Sequence, residues 1–585
     1  MAHRDDPVAD PDVGTIGARR PVPEPTKQDA ATARAERAYH ARCRTRFRLA
    51  CLGFAAAFLL IGGRLVALGL VDDEKNSGGL LDISTTVHRP DVFDRRGRLL
   101  ATDIKGATLY ADPKRVIDRD ELVEQVASVL RDVNASDLRA RLKAGKRFVR
   151  IKRELTPQQQ AEIYALGQPG LGFIEEYRRV YPMNATTSHV IGLVDVDNRG
   201  LAGIEKFVDD NPQLAMAHAS DTAGGEGVTL SIDLGVQHVL RQELKSAIAT
   251  YRAKAAAGIV IDVHSGEVLG FVSLPDFDPH KREQALDKER VNRISSGVYE
   301  MGSVFKMFTV AGVLDSGLAS MQSSYDASSP IRSGRFTISD FHGKKRRLSV
   351  PEVFIYSSNI GAAKMAMHMG TERYRAFLKK LGLLSRATTE LGDSAAPIVP
   401  PHWQKLNTMT IAFGHGLSVT PLQLAAASLP LFNGGIGVTP AFLPRSREDA
   451  ASTSPRVLKP QTSASMLKLM RLNVLKGTAK RAEAEGYRVG GKTGTAEKVV
   501  GGRYSRSALL TNFLAAFPTD APEYVVLVML DEPQRVAASN NAATAGVNAA
   551  PTAGKIIARI GPILGVAPKL EDDQRGFDAK VVASY

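Results

Sequence analysis

Cysteine is nearly missing from this chain. Of 585 residues only Cys43 and Cys51 are cysteines, and both lie in the first tenth. No disulfide can therefore staple anything beyond position 51, and the main body must hold together through its core. Tryptophan occurs once, at Trp403, where a packing role is expected. Carboxylates are in the minority, with 62 Asp and Glu against 76 Lys and Arg, for a net charge of +14. A basic balance suits nucleic acid, an acidic membrane surface or an anionic wall polymer, and does not choose among them. Short-period repeats are absent, which excludes solenoids and propellers. Long apolar runs are absent too, with one exception that sets the compartment.

That exception is residues 49–71, LACLGFAAAFLLIGGRLVALGLV. At 1.5 Å per residue its length matches a hydrocarbon layer about 30 Å thick. Arg42, Arg44, Arg46 and Arg48 precede it, and Asp72, Asp73 and Glu74 follow. The arginine side should stay cytoplasmic, which places about 510 residues outside. The apolar core of a cleaved signal peptide runs only about 7–15 residues, so an uncleaved single-span anchor is expected. Arg64 interrupts the run about 10 Å from its outer end; it can snorkel outward or meet a partner's membrane helix.

The rest divides by pattern. Residues 1–48 are rich in Pro, Ala, Asp and Arg and read as a disordered cytoplasmic tail. Residues 72–226 begin with a linker (72–84) and continue as an irregular spacer or docking region with short strands (TTVHRPDVFD, RLLATD) and helical runs (RDELVEQVASVL, TPQQQAEIYAL). Its end is marked by the Gly-rich joint DTAGGEG at 221–227. Residues 227–570 follow with clearer signals. VTLSI reads as a strand and 234–254 as a helix. AGIVIDV and EVLGFVSL alternate around HSG as a hairpin. RVGGKTGTAE, TNFLAAFP and EYVVLVML are late strands, and 552–564 is a closing helix. A mostly helical insert spans about 290–480, and 571–585 reads as a C-terminal tail. An antiparallel sheet with segregated helices is an α+β arrangement.

The chemistry sits in YEMGSVFKMFT, residues 299–309. Gly302 can end a turn and Ser303 can begin a helix, where backbone N–H groups favour developing negative charge. Lys306 lies one turn on and on the same face. A desolvated lysine amine there can lose its proton and act as base toward the serine hydroxyl. The pair alone is weak evidence, since Ser-x-x-Lys should arise by chance about twice in a chain of this length. It does recur, as Ser465 and Lys468 in an amphipathic helix. Ser-x-Asn occurs at Ser357–Asn359 and at Ser539–Asn541. The element that occurs once is Lys492-Thr493-Gly494-Thr495, on an expected strand whose glycine permits close backbone approach.

The ordered set Ser303-x-x-Lys306, Ser357-x-Asn359, Lys492-Thr493-Gly494 resembles the active-site triplet of penicillin-binding proteins and serine β-lactamases, for which the motif set is already known. LSIDLGVQHVLRQEL, AGIVIDVHSGEVLGFVSLPDFDP, EVFIYSSNIGAAKMA, FGHGLSVTPLQLAAA and NFLAAFPTDAPEYVVLVMLDEP resemble the transpeptidase domain of class B penicillin-binding proteins. RPDVFDRRGRLLA, RRVYP and GLAGIE resemble their pedestal (dimerisation-type) domain, so the likeness covers nearly the whole chain after residue 85. YE-x-GS-x-FK and SSNIG are closer to the septal, penicillin-binding protein 3 type than to the elongation branch. Three positions depart from the pattern: Met301 stands where proline is usual, Pro90 where glycine follows Arg89, and His280 where FDPN would give asparagine.

The resemblance implies a five-stranded antiparallel sheet with flanking helices and a helical insert. It implies a D,D-transpeptidase that cross-links peptidoglycan stem peptides ending in D-Ala-D-Ala, is a target of β-lactams and needs neither metal nor nucleotide. Ser303 is then the nucleophile and Lys306 the base. Ser357 relays a proton to the leaving amine, Asn359 orients donor and lysine, and Lys492 supplies positive charge. Thr493, Gly494 and Thr495 bind substrate, and the N–H groups of Ser303 and Thr495 hold the oxyanion. Implied partners are a membrane-embedded glycan synthase and other division proteins, met through the membrane helix and pedestal; nucleic acid is not one. The implied location is the bacterial inner membrane at the division site, with the catalytic domain periplasmic. Rival readings are an elongation-type transpeptidase, a D,D-carboxypeptidase or β-lactamase with the same triplet, a penicillin sensor and a non-catalytic division scaffold. His415, Tyr299 and Glu300 are expected to be structural, and Asp340 and His342 to line a loop at the cleft mouth.

Overall fold

The computed structural model describes residues 48–64, 88–144, 148–217, 227–569 and 571–583. Of the tail expected at 1–48 only Arg48 is described, and it is helical; the rest of the tail and the linker at 72–84 lie outside the described residues. The chain forms two units, 1–84 and 85–585. In the first, 48–64 is an exposed helix that includes Arg64. Among the described residues no helix is long and apolar enough to cross a membrane; residues 65–71 of the expected span lie outside them.

The second unit opens on a five-stranded sheet built around Leu99–Ala111. Val149–Leu155 and Leu171–Val180 pair antiparallel with it. Val92–Phe93 pairs with its start and, in parallel, with Val228–Thr229. This region was expected to be irregular. The sequence shows only the start of the long strand, RLLATD, because Asp103, Lys105 and Gly106 break its apolar alternation. Asp103 sits there as an acceptor: the Arg179 guanidinium donates to its side chain at 3.3 Å, and the Arg89 backbone N–H at 2.7 Å. Arg89 and Arg179 share the fully buried carboxylate of Glu205, at 2.9 and 2.7 Å. Helices Arg119–Val129 and Ala135–Lys143, capped by Asp118 and Asn134, cover this sheet with Leu122, Val126, Leu138 and Leu142. Of the expected strand VTLSI only Val228–Thr229 is strand, and it belongs to this sheet. Beyond it, Asp233 turns the chain by capping the next helix.

That helix, α1 (Leu234–Tyr251), lies on the second sheet, which is formed by β1 (Ala255–Asp262), β2 (Val268–Leu274), β3 (Gly490–Val500), β4 (Arg503–Phe517) and β5 (Tyr524–Asp531). The order is β3-β4-β5-β1-β2 and every pairing is antiparallel, as the resemblance implied. The central strands are apolar on both faces. In β1, Ala256 and Val260 face α1, whereas Ala257, Ile259 and Ile261 face the insert. The insert contributes α2 (Lys306–Asp315), α3 (Asn359–Met369) and α4 (Pro460–Lys476). On the opposite face α5 (Ala549–Ile563) packs beside α1. The expected C-terminal tail is, over Glu571–Ala583, a further helix, α6. The two sheets are tied together by Arg96 and Arg98 on Asp233 (2.7 and 3.1 Å) and by the Tyr181 N–H, which donates to His280 Nε2 at 3.1 Å. The unusual His280 is therefore a cross-link between sheets.

Candidate active site

The turn before Ser303 is fixed from three sides. Gly302 takes φ +58°, open to glycine, and a Cβ there would lie 2.6 Å from Thr495 O. Its N–H donates to Gly414 O at 3.2 Å. Met301, where proline is usual, is fully buried, and its carbonyl accepts from Asn512 Nδ2 at 3.1 Å. A side chain of β4 thus holds a turn that a proline ring would otherwise pre-set. From Gly302 the chain runs through one 3₁₀ turn (Gly302–Phe305) into α2. Ser303 stays partly open to solvent while Lys306, one turn on, is fully buried.

Lys306 Nζ meets four oxygens: Ser303 Oγ at 2.9 Å, Ser357 Oγ at 3.1 Å, Ser357 O at 2.7 Å and Asn359 Oδ1 at 2.7 Å. A backbone carbonyl and an amide oxygen can only accept. They therefore take two N–H groups and turn the remaining direction of the amine toward the hydroxyls. Ser357 reaches the amine with both its oxygens because it sits in the left-handed region, φ +57°. A non-glycine residue held there is strained, and such strain collects at functional sites.

Ser357 Oγ also accepts from Lys492 Nζ at 3.0 Å. The hydroxyl is thus bracketed by two fully buried lysine amines. Lys492 lies over the Phe354 ring at 5.8 Å. Burial drives Lys306 well below the ordinary lysine range; the charge of Lys492 adds to this and Asp340 opposes it. Burial alone brings Lys492 down to about 7.

The structure thus brings Ser303, Lys306, Ser357, Asn359 and Lys492 together. Strand β3 is the sheet's edge, and Gly494 lets it close on the Ser303 turn: a Cβ there would lie 2.4 Å from Met301 O. Thr495 is thereby set beside the Ser303 turn. Its hydroxyl accepts from the Ala545 N–H at 3.1 Å, and the Thr493 hydroxyl meets Thr478 Oγ1 at 2.7 Å. The recurring pairs stay apart: Lys468 is exposed on α4, and Ser539 ends a 3₁₀ turn, Ala537–Ser539, where its hydroxyl faces Val536 O and Ala542 O.

Several supporting residues carry little sequence signal. Asp340 accepts from Ser358 Oγ at 2.7 Å and from the Ile360 N–H at 3.0 Å, which pins the start of α3, while Ser339 O takes Asn359 Nδ2 at 2.9 Å. His342 is exposed and meets the Phe341 ring edge-to-face. Glu300 accepts from the Gly416 N–H at 2.7 Å and from Tyr504 Oη at 2.9 Å, and Tyr299 exchanges backbone bonds with Val419. His415 lies between Phe413 and Tyr504; burial lowers its basicity while Glu300 opposes. Trp403 donates to Thr408 Oγ1 at 3.0 Å and packs on the core.

Against known proteins, residues 256–558 match the penicillin-binding protein transpeptidase domain, and residues 84–232 match the penicillin-binding protein dimerisation domain. A probable peptidoglycan D,D-transpeptidase FtsI of Caulobacter vibrioides is 42% identical over 494 residues, covering 83% of this chain and 82% of its own. The transpeptidase domain of Burkholderia pseudomallei penicillin-binding protein 3 is 31% identical, with a TM-score of 0.52, covering 58% of this chain and 98% of that one. Penicillin-binding protein 3 of Mycobacterium tuberculosis, solved with aztreonam, covers 83% of this chain and 98% of its own at TM-score 0.63; at 23% identity that likeness is one of fold.

Proposed function

The chain belongs to the penicillin-binding protein transpeptidase family, and from that premise we propose that it is a peptidoglycan D,D-transpeptidase of division, working through a Ser303 acyl-enzyme. The observation that carries the proposal is the set of four oxygens around Lys306 Nζ, with Ser303 Oγ among them at 2.9 Å. A neutral amine in that cage gives its two N–H groups to Ser357 O and Asn359 Oδ1. Its lone pair then takes the Ser303 proton as Oγ attacks the penultimate carbonyl of a stem peptide ending in D-Ala-D-Ala.

The backbone N–H groups of Ser303 and Thr495 stabilise the oxyanion, each worth about 3 kcal/mol in the transition state. As the C–N bond breaks, the proton passes from Lys306 through Ser357 Oγ to the departing D-Ala amine. Asn359 orients the donor amide. Lys492, still charged below about 7, attracts the terminal carboxylate, and Thr493, Gly494 and Thr495 line the edge along which the donor lies. An amine of a neighbouring stem then attacks the ester carbonyl, gives up its proton, forms the cross-link amide and frees Ser303 Oγ. β-Lactams enter by the same attack.

Anchoring through residues 49–71, a periplasmic catalytic domain, placement at the septum, and contacts with a membrane-embedded glycan synthase and other division proteins complete the proposal. They are supported by the apolar run with its arginine flank, and by a relative named FtsI that covers most of the chain. The test is mass spectrometry after brief exposure to penicillin, with fluorescent labelling of the protein in dividing cells. One stable adduct on the peptide holding Ser303, lost in Ser303→Ala, and a mid-cell band are expected. Rapid turnover of the drug would make the chain a hydrolase. Septation supported by Ser303→Ala would make it a scaffold, and label along the side wall would move it to elongation.

A further inference from the structure

Arg471 on α4 is among the largest fully buried side chains of the molecule. A buried guanidinium is tolerated only with its N–H groups paired. Here Nε and one terminal nitrogen form a two-pronged bond to both carboxylate oxygens of Asp578, at 2.8 and 2.7 Å. The other terminal nitrogen donates to Glu483 Oε2 at 2.7 Å and to Val489 O at 2.9 Å. Asp578 belongs to α6, the helix at the end of the chain and beyond the matched transpeptidase domain. Val489 is the residue immediately before β3.

The same stretch of α4 grips β3 twice more. Asn473 Nδ2 donates to Gly491 O at 2.7 Å. Thr478, just past the helix, meets the Thr493 hydroxyl. At Gly490 an added Cβ would come within 3.0 Å of the Arg471 backbone nitrogen, so helix and strand touch without a side chain between them. Every one of these contacts falls on the four residues around Lys492.

We infer that α6 is a latch on the Lys492 strand: Asp578 fixes the Arg471 fork, and Arg471 fixes Val489 and with it the start of β3. Asp578 is then a positioning residue for acylation, acting at a distance through Arg471, and the inference rests on the reading of Ser303 and Lys492 given above. Without Asp578 two guanidinium N–H groups lose their acceptors while Glu483 and Val489 compete for the rest. The fork turns toward Glu483 and its hold on Val489 loosens. A shift of about 1 Å at Lys492 costs up to about a hundredfold in rate.

The test compares the full chain with Asp578→Asn and Asp578→Glu by two readouts. One is amide hydrogen exchange at residues 489–493, and the other is the rate at which benzylpenicillin acylates Ser303. Asp578→Asn is expected to speed exchange at 489–493 while leaving Leu99–Ala111 unchanged, and to slow acylation by about tenfold to a hundredfold. Asp578→Glu, which keeps the carboxylate, is expected to recover most of both. The latch is overturned if Asp578→Asn leaves either readout at the wild-type value, if exchange rises everywhere alike, or if Asp578→Glu behaves as the asparagine variant does. Should the wild-type chain itself fail to form a Ser303 adduct, the reading of the site falls, and exchange at 489–493 alone decides the latch.

Discussion

Lys306 and Lys492 are two buried amines joined through one hydroxyl, and the proposed mechanism needs them in opposite states. Lys306 must be neutral to take the Ser303 proton; Lys492 must be charged to draw in a carboxylate. Burial lowers both, and the charge of Lys492 pushes Lys306 further down. The second-order rate of acylation by penicillin reports ionisations of the free protein. It should rise with pH as Lys306 loses its proton and fall as pH climbs through about 7, where Lys492 loses its own. Asp340 tunes the first limb, because its negative charge favours the protonated Lys306. Asp340→Asn should move the rising limb to lower pH, and a stopped-flow profile of both proteins checks the sign. A rising limb that stays in place would show that the charge of Asp340 does not reach the amine.

The edge strand β3 and the turn before α2 meet through glycine rather than through side chains. Gly494→Ala puts a methyl group 2.4 Å from Asn512 Oδ1 and from Met301 O. The strand must then back away from Ser303, and acylation should fall by about a hundredfold. Gly343→Ala, whose Cβ would meet only Asp340 Cβ at 3.5 Å, serves as control and should leave the rate unchanged. The three motifs were legible in the sequence because each is local: a helical turn, a tight loop and a strand fragment state their own geometry. The helix 234–251, the 255–274 hairpin and the late strands were legible for the same reason, through unbroken apolar periodicity. Asn512 on Met301, Asp340 at the start of α3 and Arg471 on Asp578 were not. Each pairs residues far apart in the chain, and no periodicity marks a polar side chain whose partner is 18 to 211 positions away. Of the strand Leu99–Ala111 only the start, RLLATD, was legible, because its central residues interrupt the apolar alternation.

The pedestal and the catalytic sheet rest on different kinds of cohesion. The central strands of the catalytic sheet are apolar on both faces, whereas the pedestal is threaded by Arg89, Arg179, Asp103 and Glu205, all nearly without solvent exposure. Removing one partner from such a set is costly, because the remaining charges stay buried. Glu205→Ala should destabilise the pedestal by about 3–5 kcal/mol, seen as an earlier denaturant transition, while the acylation rate in native buffer is kept. The order β3-β4-β5-β1-β2 has a consequence in time. β1 and β2 are made before Ser303, but the strand that pairs next with β1, β5, begins some two hundred and sixty residues later. At about 5–20 residues per second, translation from Ser303 to Thr495 on β3 takes roughly ten to forty seconds. Throughout that interval the nascent polypeptide carries its serine and lacks the stretch of β3 that Gly494 lets close on the Ser303 turn. A newly made chain is therefore blind to antibiotic until β3 has been made.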